Sequence, residues 1–170
     1  MSHTILHSEA AIAARIAAMA KQIAHAPLLP DIAMPVLVGG FMFAADLVRA
    51  LSREGAMLEV EMLWLRSYGD KRLAGAISMV AGPSEQIRGR HVLVIDAVLD
   101  YGRTIAKAVS LIEAAGAASV QVAVMLDKQR PDAVAKADYV GFEAGTDFVI
   151  GYGMDDAGKH RALPYIGKVD

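Results

Sequence analysis

Four apolar residues in unbroken succession, Val92-Leu93-Val94-Ile95, run straight into an acid, and a glycine and a helical pattern follow soon after. A strand with no polar face has to be covered on both sides. The chain repeats the device in Pro35-Val36-Leu37-Val38, closed by Gly39-Gly40, and again over residues 119–126. Helical patterns separate these runs. Residues 41–53 form one, with Gly55 as its stop, and residues 103–115 form another, stopped by Gly116. Strands that alternate with helices in this way predict an α/β fold with a central, mainly parallel sheet flanked by helices. Such sheets bind ligands beyond the carboxyl ends of their strands, so the loops after Val38, Ile95 and Leu126 are the ones to inspect.

The remaining segments fit around that sheet. Ser8 is placed to cap a helix that runs to about residue 26, with Ile12, Ile16, Met19 and Ile23 on one face and Pro27 and Pro30 ending it. Residues 57–65 read as a strand with Trp64 packed near its end. Residues 66–75 read as a polar, glycine-punctuated loop, and residues 76–80 as a short returning strand before the Gly82-Pro83 turn. The clearest strand spans residues 91–95, with 96–102 as its loop. Residues 139–142 and 148–152 are shorter strand candidates.

The totals narrow the possibilities. A chain of 170 residues is expected to form one domain, residues 1–170. With 55% hydrophobic and 21% charged residues it is a folded globular chain. A net charge of -2 lacks the basic excess that drives nucleic-acid binding. The absence of cysteine excludes disulfides and thiolate metal sites, and the five histidines have no metal-ligand spacing. No basic stretch leads into an apolar core at the start and no uncharged run reaches spanning length. A cytoplasmic protein with no membrane partner is expected.

Chemistry concentrates between Asp96 and Thr104, in Asp96-Ala97-Val98-Leu99-Asp100-Tyr101-Gly102-Arg103-Thr104. A buried strand ends among acids, and a glycine and a hydroxyl stand at a helix start. The first backbone N–H groups of a helix have no internal partner, and the helix dipole favours an anion there. Gly102 allows close approach and Thr104 adds a donor. On its residues alone the segment reads equally as a phosphate cradle or as a plain strand-to-helix turn capped by Asp100.

The segment resembles the phosphoribosyl-diphosphate signature of the type I phosphoribosyltransferase family, and the likeness covers most of the chain. Residues 36–47 resemble the family's pyrophosphate loop and following helix. Arg66-Ser67-Tyr68-Gly69 is similar to its lid, Leu126-Asp127-Lys128 to its base-recognition lysine, and residues 148–155 to its base-stacking segment. Residues 161–169 look like the tail of the bacterial hypoxanthine-guanine branch.

The resemblance implies a fold with a small hood made from the chain's ends. It also implies purine salvage, in which the phosphoribosyl group passes from phosphoribosyl diphosphate to hypoxanthine or guanine. It assigns the diphosphate sugar to Gly39, Gly40, Ser67, Tyr68, Asp96, Asp100, Tyr101, Gly102, Arg103, Thr104 and Arg161. Asp100 becomes the catalytic acid or base, and Lys128, Phe148, Val149 and Asp155 the purine site. Mg²⁺ falls to Asp155 and Asp96, and a homodimer or homotetramer is implied. The chain departs from the pattern in three places: Ala97 stands for a second acid, Tyr101 for a small hydroxyl residue, and Val38 for a lysine. A catalytically weak relative that binds the sugar as a regulator, or a transferase for another base, are the alternatives.

Overall fold

The computed structural model describes residues 3–67 and 77–169. In chain order these form β1 (His3–His7), α1 (Glu9–Ala24), β2 (Ile32–Leu37), α2 (Phe41–Arg53), β3 (Glu59–Val60), β4 (Leu63–Ser67), β5 (Ile77–Ala81), β6 (His91–Leu99), α3 (Arg103–Ala114), β7 (Ser119–Asp127), β8 (Tyr139–Glu143), β9 (Val149–Ile150) and β10 (Ile166–Val169). A short 3-10 turn, Glu85–Ile87, precedes β6.

The main sheet runs β5-β4-β2-β6-β7-β8, with β3 also against β2. All its pairings are parallel except β4 with β5. The apolar strands lie at its centre, as their two-sided apolar character demands. Along β6 the side chains alternate between two cores. Val92 and Val94 join Ile105, Ala108 and Ile112 of α3, whereas Leu93, Ile95 and Ala97 join Ile16, Met19, Phe43 and Leu47 of α1 and α2. Burying an aliphatic or phenyl side chain of this kind stabilises the fold by about 1.5–3 kcal/mol.

A second, antiparallel sheet, β1-β10-β9, is the hood. His3 pairs with Val169 and Thr4 with Lys168, so the two ends of the described chain close it together.

Several boundaries differ from the sequence-based expectation. β6 does not stop at Ile95. Its ladder with β7 continues from Asp96↔Val124 to Leu99↔Asp127, and the Asp96 carboxylate meets the Ala97 N–H at 2.7 Å instead of turning the chain out. The expected loop over 96–102 therefore shrinks to three residues. β2 begins at Ile32 and carries Pro35 inside it. The stretch 57–65 splits into β3 and β4, which pair in succession along one edge of β2. The first helix ends at Ala24 with His25 as its cap, and the strand expected over 148–152 is only Val149–Ile150. Arg66 and Ser67 belong to β4 and not to a loop.

Candidate functional site

The turn after β6 sets one half of the site. Gly102 is the N-cap of α3, with φ of 74° and no side-chain cap, so the strand turns into the helix through a left-handed residue. A Cβ on Gly102 would lie 2.9 Å from the Ala135 backbone nitrogen, which requires glycine on both conformational and steric grounds. The reading of Asp100 as the cap of a plain turn does not hold, because no side chain caps this helix. Its first N–H groups, from Arg103 and Thr104 onward, have no intrahelical acceptor. Thr104 is half-buried and Arg103 exposed. The Tyr101 ring is 43% exposed and lies against the Arg130 guanidinium, 4.2 Å from the ring centroid, with that of Arg103 at 5.9 Å.

Asp100 is occupied on both oxygens. Lys128 Nζ donates to Oδ2 at 3.2 Å and Arg130 Nε donates to Oδ1. The Lys128 side chain is only 8% exposed. Its backbone N–H donates to the Leu99 carbonyl at 2.9 Å, which anchors the start of the loop after β7 beside the end of β6.

The other half gathers at the end of β2, the middle of β6 and the turn after β9. Gly39 lies against Asp96 and Arg161: a Cβ there would be 3.5 Å from Asp96 Oδ1 and 3.8 Å from Arg161 Nη1. Arg161 donates from Nη1 to the Gly153 carbonyl at 2.6 Å and pairs through Nη2 with Asp155 Oδ1 at 2.8 Å. The second Asp155 oxygen accepts the Gly158 N–H at 2.6 Å. Burial pushes the Asp96 carboxyl up to about 7, against the opposing pull of the Ala97 N–H and the Arg161 charge. Gly153, with φ of 98°, presses on the loop from above, and a Cβ on it would be 2.1 Å from the Gly39 carbonyl. The peptide between Leu37 and Val38 is cis, and Val38 is half exposed. Gly40 follows and stands immediately before α2.

Ala97, where an acid was expected from the resemblance, is 1% exposed and shares the α1–α2 core with Tyr152 and Met154. Val149 is buried in β9 and pairs with Lys168, while Phe148 next to it is 46% exposed. Ser67 ends β4 opposite Ile77, and Tyr68 lies outside the described residues. Among the described residues no three His, Asp or Glu side chains gather to hold a metal by themselves. A cavity of about 520 Å³ opens between α1, α2 and residues 161–164, with Met42, Asp46, Arg49 and Tyr152 in its wall. It includes neither Asp96 nor Asp100 nor Lys128.

Three contributors escaped the sequence reading. Arg130 lies in the loop after β7, one of the three strand-end loops that the sheet rule marks, so the rule named its place but not its role. Tyr152 and Asp46 meet behind the Gly39 loop, the hydroxyl donating to Oδ2 at 2.5 Å. Neither residue type signals that contact in sequence.

Strand-end glycines, an uncapped helix N-terminus, the buried Asp96 and an arginine paired with Asp155 thus gather at the ends of a parallel sheet. The signature of the phosphoribosyl transferase domain matches residues 2–157, and the chain belongs to that family. It is 34% identical to the hypoxanthine phosphoribosyltransferase of Haemophilus influenzae over 97% of this chain and 94% of that protein. It is 40% identical to the bifunctional protein TilS/HprT of Listeria innocua over 78% of this chain. The matched part spans only about a fifth of that protein's length, 20%. The fold superimposes with a TM-score of 0.86 on the hypoxanthine phosphoribosyltransferase of Trypanosoma cruzi in complex with the product IMP, at 32% identity, covering 98% of this chain and 93% of that one.

Proposed function

We propose that this protein is a purine-salvage enzyme that transfers the 5-phosphoribosyl group from phosphoribosyl diphosphate to hypoxanthine or guanine and releases pyrophosphate. The observation that carries the reading is the contact of Asp100 with Lys128 at the mouth of an uncapped helix. An acid for proton transfer and a cation for an exocyclic oxygen stand together beside an anion cradle. The relatives' names, hypoxanthine and hypoxanthine-guanine phosphoribosyltransferase, support the same base class.

In this reading a bond forms between a purine nitrogen and the anomeric carbon of the ribose as the carbon–oxygen bond to pyrophosphate breaks. The electron pair leaves with the pyrophosphate and the purine proton goes to Asp100. The N–H groups of Gly102, Arg103 and Thr104 hold the 5'-phosphate, with Tyr101 at the rim. Gly39, Gly40 and Arg161 receive the pyrophosphate, and Ser67 and Tyr68 close over it. Asp96 accepts from ribose hydroxyls. Lys128 donates to O6, Phe148 stacks on the base, and the main chain at Val149 reads its edge. Such a site works mainly by positioning and by charge complementary to the transition state.

Two carboxylates that share Arg161 as a neighbour, Asp96 and Asp155, fit Mg²⁺, which takes oxygen ligands, keeps several waters and is commonly bound with substrate phosphates. When bound, the ion neutralises charge on the departing pyrophosphate. A homodimer or homotetramer in the cytoplasm, built from a single domain over residues 1–170, completes the proposal.

The test is pyrophosphate release by the purified protein given Mg²⁺, phosphoribosyl diphosphate and hypoxanthine, guanine or xanthine, with orotate and uracil as controls. Turnover with a 6-oxopurine is expected. Turnover with another base alone would reassign the substrate. Sugar binding without any turnover would leave the chain as a binder.

A further inference from the structure

Asp100 faces more positive charge than base recognition requires. Lys128 approaches one carboxylate oxygen and Arg130 the other. In the salvage reading, on which this inference rests, Lys128 is the residue that turns to the incoming base. The bond from Arg130 Nε to Oδ1 is then the one that keeps the carboxylate in place.

Arg130 is built to stay. Its guanidinium carbon lies over the Tyr101 ring, 4.2 Å from the centroid, and its side chain is only 22% exposed. Pro131 follows it and restricts its backbone to extended conformations. The rest of the loop is fastened to the phosphate turn as well. Val134 N–H donates to the Tyr101 carbonyl at 2.9 Å, and Ala135 packs against Gly102 so closely that a Cβ would not fit. The same arrangement gives Tyr101 a purpose. A small hydroxyl residue at this point would offer Arg130 no platform, so the ring and the guanidinium act as one unit.

We propose that Arg130 is a positioning residue for the transfer reaction: clamped on the Tyr101 ring, it holds the Asp100 carboxylate toward the purine when Lys128 moves from Asp100 to the base. Lysine in its place retains the charge but loses the guanidinium over the ring and the Nε donor. The clamp therefore acts on the chemical step, through Asp100, and not on binding of the activated sugar.

Steady-state kinetics with hypoxanthine and phosphoribosyl diphosphate test this on wild type, Arg130→Ala, Arg130→Lys, Tyr101→Leu and the Tyr101→Leu/Arg130→Ala double variant. Circular dichroism checks that each one folds. Arg130→Ala is expected to lower kcat about tenfold and to leave KM for the diphosphate sugar within about twofold. Arg130→Lys should recover part of the loss. The double variant should be no slower than Arg130→Ala, since both changes break one device. An unchanged or raised kcat in Arg130→Ala, or a loss confined to KM for the sugar, overturns the proposal.

If wild type turns over no base, the salvage reading fails by itself, and the clamp is read from stability. The Tm shifts of Asp100→Asn and Arg130→Ala should then be non-additive in the double variant. Additive shifts would overturn the clamp.

Discussion

Tyr152 and Asp46 are joined by a 2.5 Å hydrogen bond that ties the turn after β9 to the helix following Gly40. Burial and the neighbouring carboxylate both push the Tyr152 phenol above its ordinary range, so it remains a donor. The same turn carries Gly153, whose carbonyl accepts from Arg161, and it rests on Gly39. The bond thus fixes the turn that carries Gly153 to the helix that follows Gly39 and Gly40, two walls of the proposed anion site. Tyr152→Phe should cost about 1–2 kcal/mol, reduced from the full value of a charged hydrogen bond by the exposure of Asp46. It should also raise KM for phosphoribosyl diphosphate while kcat changes little. Thermal denaturation and steady-state kinetics check the two halves.

Asp100→Asn keeps the shape of the side chain and removes its ability to take a proton. Turnover should fall about 10²-fold or more with binding of the diphosphate sugar nearly intact. Single-turnover rates beside calorimetric binding separate the two effects. Full activity in the variant would remove Asp100 from the chemistry.

Gly153→Ala is expected to damage both fold and function. The added methyl would stand 2.1 Å from the Gly39 carbonyl, at a φ of 98° that alanine rarely adopts. The strain alone is of the order of 1–3 kcal/mol, and relief of the clash has to displace Gly39. A lower Tm together with weakened sugar binding is the expected result.

The pH dependence of stability should carry the mark of Asp96. Its carboxyl is raised from 3.8 to about 7, so the folded protein prefers it protonated. Its contribution is fully present below the unfolded value and is lost as pH rises through about 7. Asp96→Asn cannot ionise. Its ligand-free Tm should fall less than that of wild type between about pH 4 and pH 7. Parallel profiles for the two proteins would mean that Asp96 is not a buried acid.

The central sheet was legible because Val92 to Ile95, Val36 to Leu37 and residues 122–126 have no polar face and so no place except between two layers. Gly102 and Thr104 were legible as the start of α3, because a glycine between an apolar strand and a helical pattern marks the turn, whereas their residue types alone left a phosphate cradle and a plain turn equally open. The true end of β6 was not, since Asp96 reads as a chain exit until its carboxylate is seen bonded to the next N–H. Arg130 was not legible as a partner of Asp100 because the two stand 30 residues apart and meet only through the neighbouring ends of β6 and β7. The resemblance implied a hood from the chain's ends, and β9 falls within the strand expected over 148–152, but β1 and β10 themselves went unread for a related reason. β1 and β10 are short, have no strict alternation, and exist because they pair with each other.

That pairing has a kinetic consequence. β1 and β10 are the most widely separated pair of strands in the chain, and the segment carrying Gly153, Asp155 and Arg161 is held between β9 and β10. Loop-closure entropy delays contacts between distant segments, whereas the parallel core assembles from nearer neighbours. Refolding should therefore restore the core signal before it restores the anion site. Recovery of activity then times the closing of the chain's two ends on each other, and a probe of the main sheet such as fluorescence of Trp64 in β4 would report an earlier event.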